Sequence, residues 1–232
     1  GEGSSPTIYG NALLINWDHE GDSFIVALDK LTGEELWHNE RDERTSWSTP
    51  LVVEHKGKHQ VIVSASKRTR GYDLASGKLI WECAGLGANV VPMPLHANGV
   101  VYVTSGHRDP AMQAILLDKA KGDITGSDAV LWSVHQDTPY VSSPILCGGR
   151  LYFMKNRYST LSCYDAETGE ALYGPQRLEG MKDVYASLVG VKDRVYISGL
   201  GGTTLVIKNG PEYEVLASNK LDEPIGASPV MV

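Results

Sequence analysis

Apolar and polar positions along this chain recur in a fixed phase. A Ser-Pro-like pair opens a short apolar stretch, a turn follows, and an alternating apolar stretch comes next. The pairs are Ser5-Pro6, Thr49-Pro50, Met93-Pro94, Ser143-Pro144, Ser187-Leu188 and Ser228-Pro229. Their second positions are spaced by 44, 44, 50, 44 and 41 residues. A fixed period between about 20 and 50 residues marks a repeat architecture. Within each period two β-rich runs flank a turn. Asn98-Gly99 separates Leu95-His96-Ala97 from Val100-Val101-Tyr102-Val103, and Gly148-Gly149 precedes Leu151-Tyr152-Phe153. Gly10-Asn11, Lys56-Gly57-Lys58 and Lys192-Asp193 hold the matching place in other copies. Such pairs predict antiparallel hairpins.

A third strand and a second turn complete the period. The first copy has Ala27, Asp29 and Gly33 followed by Trp37. The second has Gly71, Asp73 and Gly77 followed by Trp81. The fourth has Asp165 and Gly169 followed by Tyr173. In all three the aspartate lies eight residues before the aromatic. In the third copy Asp118 and Trp132 are fourteen apart, and six extra residues within 122–129 account for the longer period. The aspartate suits a turn because its carboxylate accepts amide N–H groups ahead of it, and the glycine closes the turn in the left-handed region. Four short strands per period with no amphipathic helix predict an all-β chain of four-stranded antiparallel blades, a β-propeller. The expected blades are 5–47, 48–90, 91–140, 141–184 and 185–225, in one domain over 1–232. Residues 226–232 open a sixth, so five repeats and a start are expected to be part of a seven- or eight-bladed ring.

Charge and cysteine usage narrow the function. The formal net charge is −7, which argues against a nucleic-acid partner, because binding phosphates needs a basic face. No apolar run approaches the ~20 residues that span a bilayer as a helix. Cys83, Cys147 and Cys163 show no CxxC or Cys/His spacing, so a zinc site is not expected. Cys163 reads as a core thiol, and a bridge from it to Cys147 would need Cα atoms within ~7 Å.

The stretches 27–37 and 71–81 resemble the tryptophan-docking motif, Ala-x-Asp-x-x-Thr-Gly-x-x-x-Trp, of pyrroloquinoline-quinone (PQQ) type propeller repeats. The resemblance runs blade after blade through the chain. Asp22-Ser23-Phe24, Ser46-Trp47-Ser48-Thr49-Pro50 and residues 201–214 look most like secreted bacterial members, such as those of planctomycetes. The resemblance implies that Trp37, Trp81, Trp132 and Tyr173 pack between neighbouring blades, and that the protein works in the periplasm or outside the cell. It also leaves three functions open. One is a non-catalytic platform that binds a protein or small ligand at a rim. The second is a PQQ-dependent dehydrogenase with calcium held by Glu, Asn and Asp. The third is an outer-membrane assembly lipoprotein that docks partner peptides. This sequence has no adjacent cysteines, and no Glu/Asn/Asp set falls in matching contexts, so no cofactor is expected.

Three loops carry candidate binding residues. Asp18-His19-Glu20-Gly21-Asp22 is either a hard-cation loop or a solvated hairpin tip, since carboxylates at alternate positions suit calcium. Asp18, His19 and Asp22 are its candidates. Residues 41–47 link the first blade to the second, where Arg44 and Trp47 stand as candidates on a propeller rim. Gly106-His107-Arg108-Asp109-Pro110 joins two strands of the third blade, and His107 with Arg108 suits an anion or forms a solvated turn.

Overall fold

The computed structural model describes residues 3–155 and 159–231. Among them, regular structure is almost wholly β. Five sheets follow one another along the chain. The first holds β1 (Thr7–Tyr9), β2 (Ala12–Trp17), β3 (Ser23–Asp29) and β4 (Glu35–Arg41). The second holds β5 (Leu51–His55), β6 (Lys58–Val63), β7 (Arg68–Asp73) and β8 (Leu79–Ala84). The third holds β9 (Leu95–Ala97), β10 (Val100–Ser105), β11 (Ala111–Leu116) and β13 (Val130–Val134), with β12 (Gly122–Asp123) inserted before β13. The fourth holds β14 (Ile145–Cys147), β15 (Arg150–Lys155), β16 (Thr160–Asp165) and β17 (Ala171–Arg177). The fifth holds β18 (Val189–Val191), β19 (Arg194–Ser198), β20 (Thr203–Lys208) and β21 (Val215–Lys220). Each sheet is built on an antiparallel meander of four strands, and the second gains β12 as a fifth. The chain divides into two compact units, Gly1–His135 with the first three sheets and Gln136–Val232 with the last two.

The second turn of the repeat follows from its side chains. Asp29 Oδ1 accepts the N–H groups of Leu31 and Thr32, both at 2.9 Å, and Asp165 Oδ1 accepts those of Glu167 and Thr168 at 2.9 Å. Gly33 and Gly169 close these turns at φ +77° and +73°, where a Cβ would be strained. The third copy differs. Asp118 lies in a 3-10 turn, Leu117–Lys119, and its carboxylate pairs with His55 Nε2 and Lys56 Nζ, each at 2.6 Å, rather than capping a turn.

The Ser-Pro phase has a physical basis that the spacing alone did not reveal. Ser5 N–H donates to Thr49 Oγ1 (3.3 Å), Ser143 N–H to Ser187 Oγ (3.1 Å), and Ser187 N–H to Ser228 Oγ (2.9 Å). Ser48 Oγ in turn donates to the Pro92 carbonyl at 3.0 Å. The Thr49, Ser48 and Ser187 hydroxyls thus tie the segment leading into one sheet to that leading into the next, and Ser228 ties the segment ahead of the fifth sheet to the chain beyond β21. Satisfying a backbone N–H here matters because the proline beside it donates nothing.

Apolar clusters lie between consecutive sheets of each unit. Leu14, Ile25, Ala27 and Trp37 meet Val61, Val63 and Tyr72. Trp81, Cys83 and Ile62 meet Val101, Val103 and Ile115. In the second unit Tyr152, Leu161 and Cys163 meet Val195, Ile197 and Ile207. The four aromatics are not alike in burial. Trp81 is 0% exposed and Trp37 8%, while Trp132 and Tyr173 are half-buried. Trp37 Nε1 donates to the Leu74 carbonyl of the following sheet at 2.8 Å, and its ring lies over Gly77. Tyr173 reaches the Tyr213 ring at 6.0 Å.

The six extra residues of the third copy do not simply lengthen a loop. They supply β12, which pairs in parallel with β8, with Gly122 opposite Trp81 and Asp123 opposite Glu82. The second sheet therefore has five strands, one of them parallel, where four antiparallel strands were expected. Ile124, Ala120 and Leu117 pack on Trp81 from this strap. Thr125 Oγ1 accepts the Ala84 N–H at 3.0 Å, and Arg68 Nη1 meets Asp123 Oδ2 at 2.9 Å. A sheet edge that would otherwise present unpaired N–H and C=O groups is thereby covered.

Candidate functional site

Hairpin tips and inter-sheet connections meet at one end of each sheet, and the two units fill this place differently. In the first unit it is packed with charge. Asp18, at the end of β2, is buried and takes Arg41 in a bidentate pair, Nε at 2.8 Å and Nη2 at 3.1 Å. Ser46 Oγ adds a bond of 2.6 Å and Asn16 Nδ2 one of 3.2 Å to the same carboxylate. Arg41 Nη1 donates to Tyr72 Oη at 2.6 Å. Burial opposes the charge on Arg41, but Tyr72, Asp18 and Glu43 outweigh it and hold the guanidinium protonated more firmly than usual. Glu43 accepts the Lys67 N–H (2.8 Å), the Arg68 N–H (3.1 Å) and Arg70 Nη1 (2.9 Å). Burial pushes its carboxyl up, against the pull of those amides and of Arg41 and Arg70. Arg70 Nε also reaches Glu82 at 3.0 Å. Such a network is specific rather than strongly stabilising, because removing the ions from water offsets much of their attraction.

Asp18 is therefore neither a solvated tip residue nor free to bind a cation. Asp22 is exposed; His19 is half-buried, its Nδ1 accepting the Gly21 N–H at 3.0 Å. Arg44 is exposed beside the buried Glu43 and Thr45. Trp47 is half-buried under Gly3, with its N–H on the Val90 carbonyl at 2.7 Å. His107 and Arg108 stand exposed on the β10–β11 hairpin. The structure brings Asp18 to Ser46 and Arg41, but it does not gather the candidates of the three loops into one site.

In the second unit the corresponding hairpin tip, 156–158, lies outside the described residues. A cleft of about 710 Å³ is bounded by the ends of β15, β16 and β17 and by the connection to β18. Asp137, Lys155, Thr160, Arg177, Lys182 and Asp183 contribute to its wall. Lys155 Nζ is paired with Asp137. Arg177 and Lys182 are exposed and carry no ion pair among the described residues. Sequence reasoning passed over this cleft. The available signal was Arg41 and Arg177, each four residues beyond the aromatic of its repeat, Trp37 and Tyr173.

Calcium with PQQ would need several protein oxygens converging at 2.3–2.6 Å. Among the described residues no three His, Cys, Asp or Glu side chains form such a group. The acidic side chains that do come together, Asp18, Asp42, Glu43 and Glu82, are bound to the guanidinium groups of Arg41 and Arg70. These carboxylates are committed to guanidinium partners. The thiols do not suggest a nucleophile either. Burial pushes Cys83 and Cys163 up to about 11, and raises Cys147 as well.

Repeated four-stranded antiparallel sheets joined by short connections define a β-propeller of the PQQ-like class. A family profile described as outer membrane protein assembly factor BamB matches residues 21–224, and the chain belongs to that family. Three solved structures share the fold. A computationally designed protein, Ika8, aligns with TM-score 0.70 and 14% identity over 97% of this chain and 64% of its own. BamB from Moraxella catarrhalis aligns with TM-score 0.51 and 16% identity over 99% of this chain and 79% of its own. A europium-containing methanol dehydrogenase aligns with TM-score 0.63 and 10% identity over 95% of this chain and 51% of its own. This chain thus spans under two thirds of the designed protein and about half of the dehydrogenase. No curated protein matches the sequence. Among the described residues no helix is long and apolar enough to cross a membrane.

Proposed function

We propose that this chain is a non-catalytic propeller platform that binds a protein or ligand at a rim, in the periplasm or outside the cell. The observation that carries the reading is the buried network of Asp18, Arg41, Glu43 and Arg70. It commits the converging carboxylates of the first unit to guanidinium partners that hold one sheet on the next, which supports a structural use for them. Membership in a family described as an assembly factor supports docking to another protein as the use of such a platform. The likeness to methanol dehydrogenase is a likeness of fold and carries no activity to this chain. The test is reconstitution with PQQ and calcium, followed by calorimetry and dye-linked alcohol oxidation. Neither heat nor turnover is expected. Micromolar or tighter binding with turnover overturns the platform reading.

A further inference from the structure

One notch occurs twice in the first unit, 44 residues apart, and an indole sits in the second copy of it. On the second sheet the notch is the turn that closes at Gly77. The Trp37 ring of the first sheet lies over that turn, 2.7 Å from where a Gly77 Cβ would stand. Trp37 Nε1 donates to the Leu74 carbonyl at 2.8 Å, and Asn39 Nδ2 donates to the Gly77 carbonyl at 2.9 Å. Val52, Val61 and Tyr72 line the apolar side, the last two buried. On the first sheet the same turn closes at Gly33, with φ +77° against +70° at Gly77. The Lys30 and Gly33 carbonyls hold the places of Leu74 and Gly77. Strand register puts Ile8, Leu13 and Leu28 in the places of Val52, Val61 and Tyr72. Beyond the chain neighbours of Gly33, no atom of the described residues comes within 4 Å of its Cβ position. Ile8 is 63% exposed, and Leu13 and Leu28 are half-buried.

We propose that the Gly33 notch binds a tryptophan-bearing, cationic segment of a partner protein, its indole seated over Gly33 with the ring N–H on the Lys30 carbonyl, as Trp37 sits on the second sheet. This deepens the platform reading and rests on it. An indole suits the notch because it pairs a large apolar body with one donor, and the notch pairs an apolar wall with one carbonyl. A single tryptophan in a matched pocket carries much of the binding free energy of an interface. A second copy of this chain is a poorer occupant. Its Trp37 and Trp81 are already buried, and on its fifth sheet Ala217, opposite Val206, stands at the place of Trp37. Charge sets the flanks of the segment. Glu34 stands where the second sheet has Lys78. Glu34, Glu35 and Glu40 are exposed, with His38 at 3.6 Å from Glu35. Asp29 keeps its carboxylate on the Leu31 and Thr32 N–H groups, and Lys30 places Nζ on the Gly10 carbonyl at 2.6 Å. The surroundings are therefore acidic and favour lysine or arginine beside the tryptophan.

The experiment titrates the 232-residue chain with a blocked heptapeptide that copies residues 35–41 with Glu35→Lys and Glu40→Lys, by calorimetry and by amide chemical shifts. The peptide binds with one-to-one stoichiometry and shifts the amides of Leu31, Thr32 and Gly33. The same peptide with Trp37→Ala does not bind, and with Trp37→Phe it binds more weakly because the donor is lost. In the protein, Gly33→Ala puts a methyl group into the notch and lowers affinity at least tenfold. Ile8→Glu does the same from an exposed position, which keeps the test independent of strain at the turn. Leu131→Glu, an exposed leucine on β13, leaves affinity unchanged. No binding up to about 1 mM overturns the proposal. So does equal binding of the Trp37→Ala peptide, which would mean diffuse charge attraction, or parent affinity in both Gly33→Ala and Ile8→Glu. A chain that sediments as a dimer dissociated by Ile8→Glu also overturns it, since the occupant would then be a second copy. None of these outcomes bears on PQQ binding, so the platform reading stands or falls separately.

Discussion

Replacing Trp81 by alanine probes the joint between the second and third sheets most directly. The indole is fully buried, lies on Gly71, and donates from Nε1 to Gln60 Oε1 at 2.9 Å. It is covered from the third copy by Leu117, Ala120 and Ile124. Truncation removes the ring, leaves a cavity that a twisted, cross-linked sheet cannot collapse, and strands a buried amide oxygen. A loss of about 3–5 kcal/mol follows for a buried tryptophan. For a chain of this size each kcal/mol moves the midpoint by about 2–4 °C, so Tm falls by about 6–20 °C. Thermal unfolding followed by far-ultraviolet circular dichroism reads it, with Trp132→Ala as the comparison. Trp132 is half-buried, so its truncation costs less. A Trp81→Ala protein that melts within about 2 °C of the parent, or one that outlasts Trp132→Ala, refutes the reasoning from burial and cavity volume.

Three further outcomes follow from the geometry. Asp18→Ala leaves the Arg41 guanidinium buried without its carboxylate and destabilises by about 3–5 kcal/mol, whereas the double variant Asp18→Ala with Arg41→Met recovers most of that loss in urea titrations; equal losses in both sink the argument. The Thr125 hydroxyl and N–H, with Arg68, lower Asp123 from 3.8 to about 2, so its contribution to holding the strap is complete above about pH 4 and is lost as pH falls toward 2. The protection factor of Ile124 N–H, its exchange rate measured against the intrinsic rate at the same pH, should therefore fall on acidification through that window in the parent, with the step absent in Asp123→Asn. Native protein at pH 8 should react with Ellman's reagent only at Cys147, the half-buried thiol, since Cys83 and Cys163 are buried and pushed up to about 11; rapid labelling of either contradicts this.

The sequence by itself determined the repeat, its turns and the all-β class. Those features are local. An aspartate that caps its own turn, a glycine forced to positive φ and an alternating strand act within a few residues, and copying them at a constant period writes them plainly into the chain. The repeated aromatic positions were legible for the same reason, although their unequal burial was not, because burial depends on what the neighbouring copy places against them. The tertiary structure alone decided the rest. It folded two of the extra residues into a parallel strand beside Trp81, turned the Asp118 carboxylate from capping its own turn to pairing with His55 and Lys56 of the preceding sheet, and took Asp18 out of a solvated loop into the grip of Arg41. Each of these depends on partners about 20 to 60 residues away in the chain, and no local pattern encodes which distant charge or edge a side chain will meet once consecutive sheets stack.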